Sequence, residues 1–283
     1  MNLPHKKVQD IVDLALEEDL GWGDVTTDTL VPPDLSTRAD VVFKETGILA
    51  GVEVLAMAFR TVDPGIEVTV LRPDGSKVEK GEVVAVITGH ASSILKAERV
   101  ALNFVQRLSG IATQTASFVQ EVGGWPTRIV HTRKTTPGLR ILERYAVQCG
   151  GGHLHRYNLS DGVLVKDNHL VALRKAGQGI VEAVQILRSR VPHTIAIEIE
   201  ADTIDQVREA VEAGADTVLL DNMPPPLAAK CVKLVDGRAR VEASGGIKLD
   251  SVRAYAEAGV DLISSGALTH SVRALDISLD FHL

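Results

Sequence analysis

From about residue 115 onward the chain repeats a short apolar segment, a polar segment and an amphipathic segment, and this alternation limits its possible folds. Strands that alternate with helices predict a parallel sheet. The candidate strands are residues 128–131, 162–165, 195–199, 217–220, 239–243 and 262–264. Residues 211–216 recur in similar form at 256–261, as expected for two equivalent strand–helix units. No dinucleotide-binding glycine pattern follows the first strand, so we expect an α/β fold with an incomplete (β/α) barrel of six or seven strands.

The first 110 residues show a different pattern, that of a small α+β domain. The predicted elements are a helix over 8–16, strands over 39–43, 66–71 and 83–88, a helix over 51–62 and a long helix from about 94 to 108. We therefore divide the chain into an N-terminal α+β domain at 1–112, a catalytic (β/α) barrel at 113–270 and a C-terminal tail at 271–283. The tail is expected to pack back on the N-terminal domain.

Charge is unevenly distributed along the chain. The whole sequence has a net charge of −7, which argues against general binding to DNA. Between residues 128 and 175, however, there are nine basic residues, three acidic residues and four histidines. Such a concentration of cations predicts a pocket for a small polyanion, with a basic helix surface as the alternative.

Hydropathy and cysteine content predict the cellular compartment of the protein. No apolar run approaches the roughly 18–20 residues that a membrane-spanning helix requires. Residues 1–7 lead into an amphipathic helix, which is not typical of a signal peptide. The two cysteines, Cys149 and Cys231, lie far apart and fit no zinc-finger spacing. We therefore expect a cytoplasmic protein that binds neither membranes nor nucleic acids.

Every predicted strand after residue 115 ends in polar or glycine residues. In a barrel the carboxyl ends of the strands share one rim, where active sites lie. The six ends are Thr132-Arg133-Lys134, Lys166-Asp167-Asn168-His169, Glu198-Ile199-Glu200, Asp221-Asn222, Ser244-Gly245-Gly246 and Ser264-Ser265-Gly266. Ordinary loops would leave some ends without such residues, so the pattern predicts an active site at this rim.

The residue types at the rim suggest roles. The two serine–glycine ends can present backbone N–H groups to a phosphate. Glu200 and Asp221 can hold the hydroxyls of a ribose; alternatively they are a general acid–base pair or Mg²⁺ ligands. Glu198 has the same strand parity as Glu200, but Glu200 lies nearer the rim and is the favoured candidate.

A second group of candidates suits carboxylates. Arg133, His155 and Arg156 can each bind a carboxylate, the arginines in bidentate fashion. Each such contact contributes about 1.5–3 kcal/mol, so several together select a dianion over a monoanion. The segment from Cys149 to His155 can alternatively be a metal site, but a flexible glycine hinge explains its irregular spacing better.

Taken together, these motifs strongly resemble the quinolinate phosphoribosyltransferase family, also called carboxylating nicotinate-nucleotide pyrophosphorylase. The resemblance extends from about residue 8 to residue 280, with the motifs in the same order and spacing. The matching segments are residues 18–27, 103–110, 132–140, 150–161, 166–169, 198–200, 219–222, 242–247 and 275–280. No motif position departs from the family pattern.

The resemblance implies an activity and a set of site residues. The implied reaction joins quinolinate and 5-phosphoribosyl-1-pyrophosphate into nicotinate mononucleotide, with release of pyrophosphate and CO₂, in NAD biosynthesis. The implied substrate-binding residues are Arg107, Thr132, Arg133, Lys134, His155, Arg156, Lys166, Glu200, Asp221, Ser244, Gly245, Gly246, Ser265 and Gly266. Those with an implied catalytic role are Lys134, Lys166, Glu200 and Asp221. The implied cofactor is Mg²⁺, bound mainly through the substrate phosphates.

The resemblance also implies a homo-oligomer, because Arg107 corresponds to a family arginine that reaches the site of a neighbouring subunit. A homodimer is then the smallest functional unit, and a hexamer is the alternative. Two other functions stay open at this point. One is a sister phosphoribosyltransferase that uses a monocarboxylate or another ring, and the other is a non-catalytic sensor of sugar phosphates.

Overall fold

A computed structural model of the chain describes residues 3–282. Met1, Asn2 and Leu283 lie outside the described residues, and so do the parts of the expectations about the N-terminus and the tail that fall on them. The chain forms two compact units that alternate along the sequence. The first contains the described residues up to Ala116, Thr135–Gly151 and those from Leu268 onward; the second contains Ser117–Lys134 and Gly152–Ala267.

Helices and strands follow one another in two distinct patterns. Up to residue 121 the elements are α1 (His5–Leu20), α2 (Val25–Leu30), β1 (Ser36–Phe43), β2 (Gly47–Ile48), α3 (Val52–Val62), β3 (Glu67–Val70), β4 (Lys77–Val78), β5 (Val83–His90) and α4 (Ala91–Glu121). The later elements are β6 (Arg128–Val130), α5 (Arg140–Cys149), β7 (Val163–Val165), α6 (Asp167–Lys175), α7 (Ile180–Arg190), β8 (Ile197–Ala201), α8 (Ile204–Glu212), β9 (Thr217–Asp221), α9 (Pro225–Val235), β10 (Arg240–Ser244), α10 (Val252–Glu257), β11 (Leu262–Ser264), α11 (Ala267–His270) and β12 (Ile277–His282). Among residues 3–282, no helix has both the length and the apolar character that crossing a bilayer demands.

The first unit is built on an antiparallel sheet with the strand order β12-β1-β5-β3. Val41 of β1 pairs with Ala85 of β5 on one side and with Leu279 of β12 on the other. All three side chains are buried. An ion pair between Lys44 Nζ and Asp280 Oδ2, at 2.9 Å, also joins β12 to the chain just after β1. The sheet of this unit therefore includes residues from both ends of the described chain.

The second unit contains a parallel sheet of six strands in the order β6-β11-β10-β9-β8-β7. Its first strand in the chain, β6, pairs with its last, β11. Within residues 3–282 no ladder joins β6 to β7. The parallel six-stranded sheet, with the antiparallel sheet of the first unit, confirms the expected α/β fold class, and its strand order is the one expected for an incomplete (β/α) barrel.

The strands of the second unit begin within two residues of the predicted positions. The largest difference is at β8, which was expected from Ile195 and begins at Ile197. The backbone N–H of Ile195 donates to the carbonyl of Pro192 at 2.9 Å, which closes a turn before the strand. A turn hydrogen bond at Ile195 is the physical reason for the later start.

The sequence repeat corresponds to two equivalent connections. Gly214 and Gly259 follow helices α8 and α10 with φ angles of 84° and 87°, values that glycine adopts without strain. Asp216 then accepts a hydrogen bond from the backbone N–H of Ile197, at 2.7 Å. Asp261 does the same for Val241, at 2.8 Å. Each aspartate thus links the start of its own strand to the start of the preceding strand.

Candidate active site

The carboxyl ends of the parallel strands in the second unit bring most of the expected site residues to one edge of the sheet. Thr132, Arg133 and Lys134 follow β6, Lys166 follows β7, Glu200 lies in β8, Asp221 ends β9, Ser244, Gly245 and Gly246 lie at the end of β10, and Ser265 and Gly266 follow β11. Parallel strands place their carboxyl ends at the same edge, so this grouping follows from the topology. His155 and Arg156 lie in the segment before β7, where the neighbouring His153 forms a parallel bridge with Val130 of β6.

Lys166 and Glu200 form an ion pair across the ends of β7 and β8. Lys166 Nζ lies 3.3 Å from Glu200 Oε2. Glu200 Oε1 also accepts the backbone N–H of Asp167 at 3.3 Å, and His169 Nδ1 accepts the backbone N–H of Lys166 at 2.8 Å. Glu200 and Asp221 line a common cavity of about 190 Å³. A lysine and two carboxylates are therefore available to a ligand at this edge.

The ends of β9 and β10 are held together around Asp221. The side-chain nitrogen of Asn222 donates to Asp221 Oδ2 at 2.7 Å, and the backbone N–H of Asn222 donates to the carbonyl of Ser244 at 3.0 Å. A Cβ atom on Gly245 would lie 2.3 Å from Asn222 Oδ1, and the φ of Gly245 is 93°. Position 245 thus requires glycine for two independent reasons, close approach and a positive φ.

The loop after β11 is fixed by Ser265. Its hydroxyl donates to the carbonyl of Ile247 at 3.0 Å, and its backbone N–H donates to the carbonyl of Val130 at 3.2 Å. The residue is 3% exposed. Ser265 therefore connects the loops after β10 and β11 and sets the path of the chain into Gly266.

Cationic residues collect near β6 and the segment before β7. The backbone N–H of Lys134 donates to Thr132 Oγ1 at 3.1 Å, and Arg156 Nη1 donates to the carbonyl of Gly162 at 3.0 Å. Burial and the nearby charge of Arg133 lower the pKa of Arg156, and Glu198 opposes this effect. Two guanidinium groups so close together repel each other, and an anion between them would relieve the repulsion.

The other basic residues of the segment are divided between the two units. Arg140 and Arg144 lie in α5, which belongs to the first unit, whereas Arg174 and Lys175 end α6.

Cys149 also lies in α5, and burial is the main cause that raises the pKa of its thiol to about 12. A protonated thiol is a poor metal ligand, which disfavours the alternative of a metal site between Cys149 and His155.

Arg107 lies in the first unit, on α4, and is held within the chain. Its guanidinium donates to the buried carboxylate of Glu143, to Thr136 Oγ1 at 2.9 Å and to the carbonyl of Thr269 at 2.9 Å. The Arg107 side chain is 31% exposed, so part of it faces outward.

A buried pair of carboxylates in the second unit was not assigned from the sequence. Glu198 and Glu242 flank the ring of His155 in the interior of the unit. Strand parity contains the signal, because Glu198 precedes Glu200 by two residues and Glu242 precedes Ser244 by two. An acidic residue in the middle of a buried strand is unusual enough to indicate a function.

Comparison with known proteins identifies the family. Residues 24–109 match the family described as quinolinate phosphoribosyl transferase, N-terminal domain, and residues 111–280 match quinolinate phosphoribosyl transferase, C-terminal domain. The chain belongs to the quinolinate phosphoribosyltransferase family. The resemblance noted in the motifs is thereby confirmed over nearly the whole sequence.

Curated relatives of this family member cover it almost completely. A Bacillus subtilis (strain 168) protein named probable nicotinate-nucleotide pyrophosphorylase (carboxylating) is 42% identical, and the match covers 99% of this chain and 95% of that protein. A Nicotiana glauca protein named quinolinate phosphoribosyltransferase (decarboxylating) 2, mitochondrial, is also 42% identical, over 98% of this chain and 82% of that one.

Solved structures confirm the fold of this family member. The crystal structure of NadC from Streptococcus pyogenes matches with a TM-score of 0.94 and 36% identity, over 99% of this chain and 98% of that one. The nicotinate-nucleotide pyrophosphorylase from Francisella tularensis matches with a TM-score of 0.93 and 35% identity, with the same coverage.

Proposed function

We propose that the protein is a decarboxylating quinolinate phosphoribosyltransferase. It transfers phosphoribosyl from 5-phosphoribosyl-1-pyrophosphate to quinolinate, and it yields nicotinate mononucleotide, pyrophosphate and CO₂ for NAD biosynthesis. The observation that carries the proposal is the shared edge of the parallel sheet, where the cationic group around Arg133 and Arg156 adjoins the Lys166–Glu200 ion pair. The cationic group suits a dicarboxylate, and the Lys166–Glu200 pair suits a sugar diphosphate.

The dicarboxylate is proposed to bind to Arg133, Lys134 and Arg156, beside the ring of His155, whose two nitrogens are engaged by Glu198, Glu242 and the backbone N–H of Arg156. A dianion neutralises the mutual repulsion of the two arginines, whereas a monoanion does so less completely. Guanidinium groups also match the planar geometry of carboxylates. Quinolinate is therefore favoured over a pyridine with a single carboxylate.

The sugar diphosphate is proposed to occupy the ends of β7 to β11. Lys166 contacts the pyrophosphate, and Glu200 and Asp221 accept hydrogen bonds from the ribose hydroxyls. The 5′-phosphate lies at the two serine–glycine loops, at Ser244, Gly245, Gly246 and Gly266, with Ser265 shaping the second loop. Thr132 supports the loop after β6, because its hydroxyl accepts the backbone N–H of Lys134.

Mg²⁺ is proposed to enter with the diphosphate of the substrate. The carboxylates at the edge already accept hydrogen bonds or an ion pair, Glu200 from Lys166 and Asp167, and Asp221 from Asn222. We therefore assign no protein residue as a metal ligand, since phosphate oxygens are the hard ligands that Mg²⁺ prefers. When bound there, the ion helps to neutralise the leaving pyrophosphate.

The residues then act on two successive bond changes. The pyridine nitrogen forms a bond to C1 of the ribose while the C1–O bond to pyrophosphate breaks, and pyrophosphate takes the electron pair. Glu200 and Asp221 lie where positive charge develops on the sugar, and Lys166 lies where negative charge develops on the leaving group. The ribosylated ring nitrogen is cationic, so it accepts the electron pair left when the adjacent carboxylate departs as CO₂. A proton then adds to that ring carbon.

The proposal includes a homo-oligomer, a dimer or a hexamer, in which Arg107 completes the site of a neighbouring copy. Its partly exposed guanidinium, held by Glu143, supports this role. The cytoplasmic location stays a prediction from the sequence. The names of plant relatives include a mitochondrial and a chloroplastic protein, so the family is not tied to one compartment.

An assay of CO₂ and pyrophosphate release tests the proposed function. With quinolinate, 5-phosphoribosyl-1-pyrophosphate and Mg²⁺, the two products are expected in equal amounts together with nicotinate mononucleotide. Nicotinate replaces quinolinate in the control. Product formation from nicotinate but not from quinolinate indicates the sister enzyme, and a lack of pyrophosphate release with either acid indicates a non-catalytic protein.

A further inference from the structure

A cluster of one histidine and two buried glutamates lies in the second unit, with Glu198 two residues before Glu200 in β8. His155 Nε2 lies 3.3 Å from Glu198 Oε2 and 3.5 Å from Glu242 Oε2. The side chains of Glu198 and Glu242 are 10% and 1% exposed. Two ionised carboxylates in such a place are strongly unfavourable unless protons or cations compensate them. Because burial of this cluster is energetically unfavourable, we expect it to have a function.

The ring of His155 has a defined tautomer. Its Nδ1 accepts the backbone N–H of Arg156 at 2.7 Å, so Nδ1 presents a lone pair. The proton of the neutral ring is then on Nε2, which points between the two carboxylates. A metal ion among these three side chains would need the lone pair of Nε2, so the tautomer argues for a proton-holding cluster and against a metal site.

Two buried carboxylate oxygens of the cluster have no donor among the described residues, and an additional proton would satisfy them. Within residues 3–282, Oε1 of Glu198 and Oε1 of Glu242 are buried and receive no hydrogen bond from an N–H or O–H donor. Burial and Glu242 raise the pKa of Glu198. Burial lowers the pKa of His155, but hydrogen bonds to the two glutamates outweigh it and raise that pKa to about 10. One proton shared within the cluster would leave it with a single negative charge.

Charged or titratable groups from several elements lie around this cluster or at the carboxyl ends of the neighbouring strands. They are His131 and Arg133 from the end of β6, Arg156 beside His155, Lys166 after β7, Glu200 on β8 and Asp221 on β9. His131 Nε2 accepts the backbone N–H of His155 at 3.2 Å. Glu198 and Arg133 both influence Arg156, so the cluster adjoins the arginines that the proposed function assigns to quinolinate.

We propose that Glu198 and Glu242 are positioning residues, which hold His155 with its Nε2–H between them and retain one extra proton so that a dicarboxylate can bind beside Arg133 and Arg156. This inference rests on the proposed function, since the ligand is taken to be a dianion. Loss of the extra proton would place a second negative charge beside the dicarboxylate and weaken its binding. By linkage, a bound dicarboxylate must in turn favour the protonated cluster.

The pH profile of a matched variant tests the inference. Glu242→Gln removes one carboxylate and so keeps the cluster singly charged at every alkaline pH. In the wild type, kcat/KM for quinolinate is expected to fall about tenfold per pH unit above the apparent pKa of the cluster. In Glu242→Gln and in Glu198→Gln this fall should disappear, while KM for 5-phosphoribosyl-1-pyrophosphate has the same pH dependence as in the wild type. Glu257→Gln, the same change at an exposed site on α10, is the control and should keep the wild-type profile.

Two measurements on the wild-type protein keep the inference testable even where a variant fails to fold. Calorimetry of quinolinate binding at alkaline pH, in buffers of different ionisation enthalpy, should show proton uptake by the protein. Nitrogen-15 NMR of the His155 ring should show a proton on Nε2 and, at pH values where the ring is neutral, a lone pair on Nδ1.

The contrary outcomes are distinct. An alkaline fall that is the same in the wild type and in both glutamine variants overturns the inference, as does a neutral ring protonated on Nδ1. A change at Nε2 on addition of Zn²⁺ alone, with stoichiometric binding, indicates a metal site instead. Failure of the proposed function has another signature: the wild type releases no pyrophosphate with quinolinate, while the His155 tautomer is as expected.

Discussion

Glu143 binds Arg107 through a single carboxylate oxygen, which accepts Nη2 at 2.7 Å and Nε at 3.1 Å. The other oxygen of Glu143 accepts the backbone N–H of Thr136 at 3.1 Å, and the glutamate is fully buried. The orientation of Arg107 is therefore determined by a buried carboxylate that is itself fixed by the backbone. This makes the pair a structural support as well as part of the proposed site.

Removal of the Glu143 carboxylate is expected to destabilise the fold. Glu143→Ala should lower the free energy of unfolding by about 3–5 kcal/mol, because Arg107 then loses a buried partner. Chemical denaturation measures this change. Glu121→Ala is the matched control, since it breaks an exposed pair with Arg253 at 3.1 Å and should cost about 0.2–1 kcal/mol. Equal losses in the two variants would show that burial does not strengthen the Arg107 pair.

Gly245 should not tolerate a side chain. Gly245→Ala places a Cβ 2.3 Å from Asn222 Oδ1 and forces a positive φ on alanine, so a loss of about 2–4 kcal/mol in unfolding free energy is expected. Gly237→Ala, with a φ of 71° and open space around its Cβ, isolates the backbone effect and should cost about 1 kcal/mol. Thermal denaturation of both variants checks the difference. If the two lose the same stability, the contact with Asn222 is unimportant.

Arg133 should discriminate between the two substrates. Arg133→Ala is expected to raise the dissociation constant of quinolinate by about 10–100-fold, since one charged contact contributes about 1.5–3 kcal/mol. Binding of 5-phosphoribosyl-1-pyrophosphate should change far less. Arg128→Ala, at the opposite end of the same strand β6, should leave both affinities intact. Equal weakening of both ligands by Arg133→Ala contradicts the assignment to the carboxylates.

Complementation between subunits tests the role of Arg107. Arg107→Ala and Lys166→Ala should each be inactive alone. A heterodimer that combines them contains one site with both defects and one intact site, so about half of the wild-type activity should return. Mass spectrometry verifies the heterodimer before the assay. No recovery in verified, folded heterodimers would mean that each site uses its own arginine.

Stability should decline as the pH becomes alkaline. The pKa of His155 rises from 6.5 to about 10 in the folded protein, so its contribution is fully present below pH 6.5 and is lost as the pH rises through about 10. The raised pKa of Glu198 acts in the same direction. Denaturation midpoints across this range should fall in the wild type and fall less in Glu242→Gln. An identical slope in the two proteins would assign the pH dependence to other groups.

Local patterns in the sequence predicted the second unit well. Strand length, helix periodicity and the polar strand ends are all properties of short segments, and parallel topology then places those ends at one edge. The repeat that ends in Asp216 and Asp261 also marked two equivalent units. Local information does not, however, reveal which distant segments meet.

Long-range contacts account for what the sequence did not reveal. Arg140 and Arg144 belong to the basic segment of the sequence, but they lie in helix α5, which is part of the first unit. Glu242 stood in a recognised motif without an assigned role, because its partner His155 is distant in sequence. The same holds for the bond between Arg107 and Glu143, which joins residues on different helices.

Strand β12 has a consequence for synthesis. Thr37, in β1, donates to the carbonyl of His282, which lies 245 residues later in the chain. During synthesis, one edge of β1 therefore stays unpaired until every strand of the second unit has been translated. During that interval the unpaired edge of β1 can pair with other nascent chains, so we expect this strand to need chaperone protection.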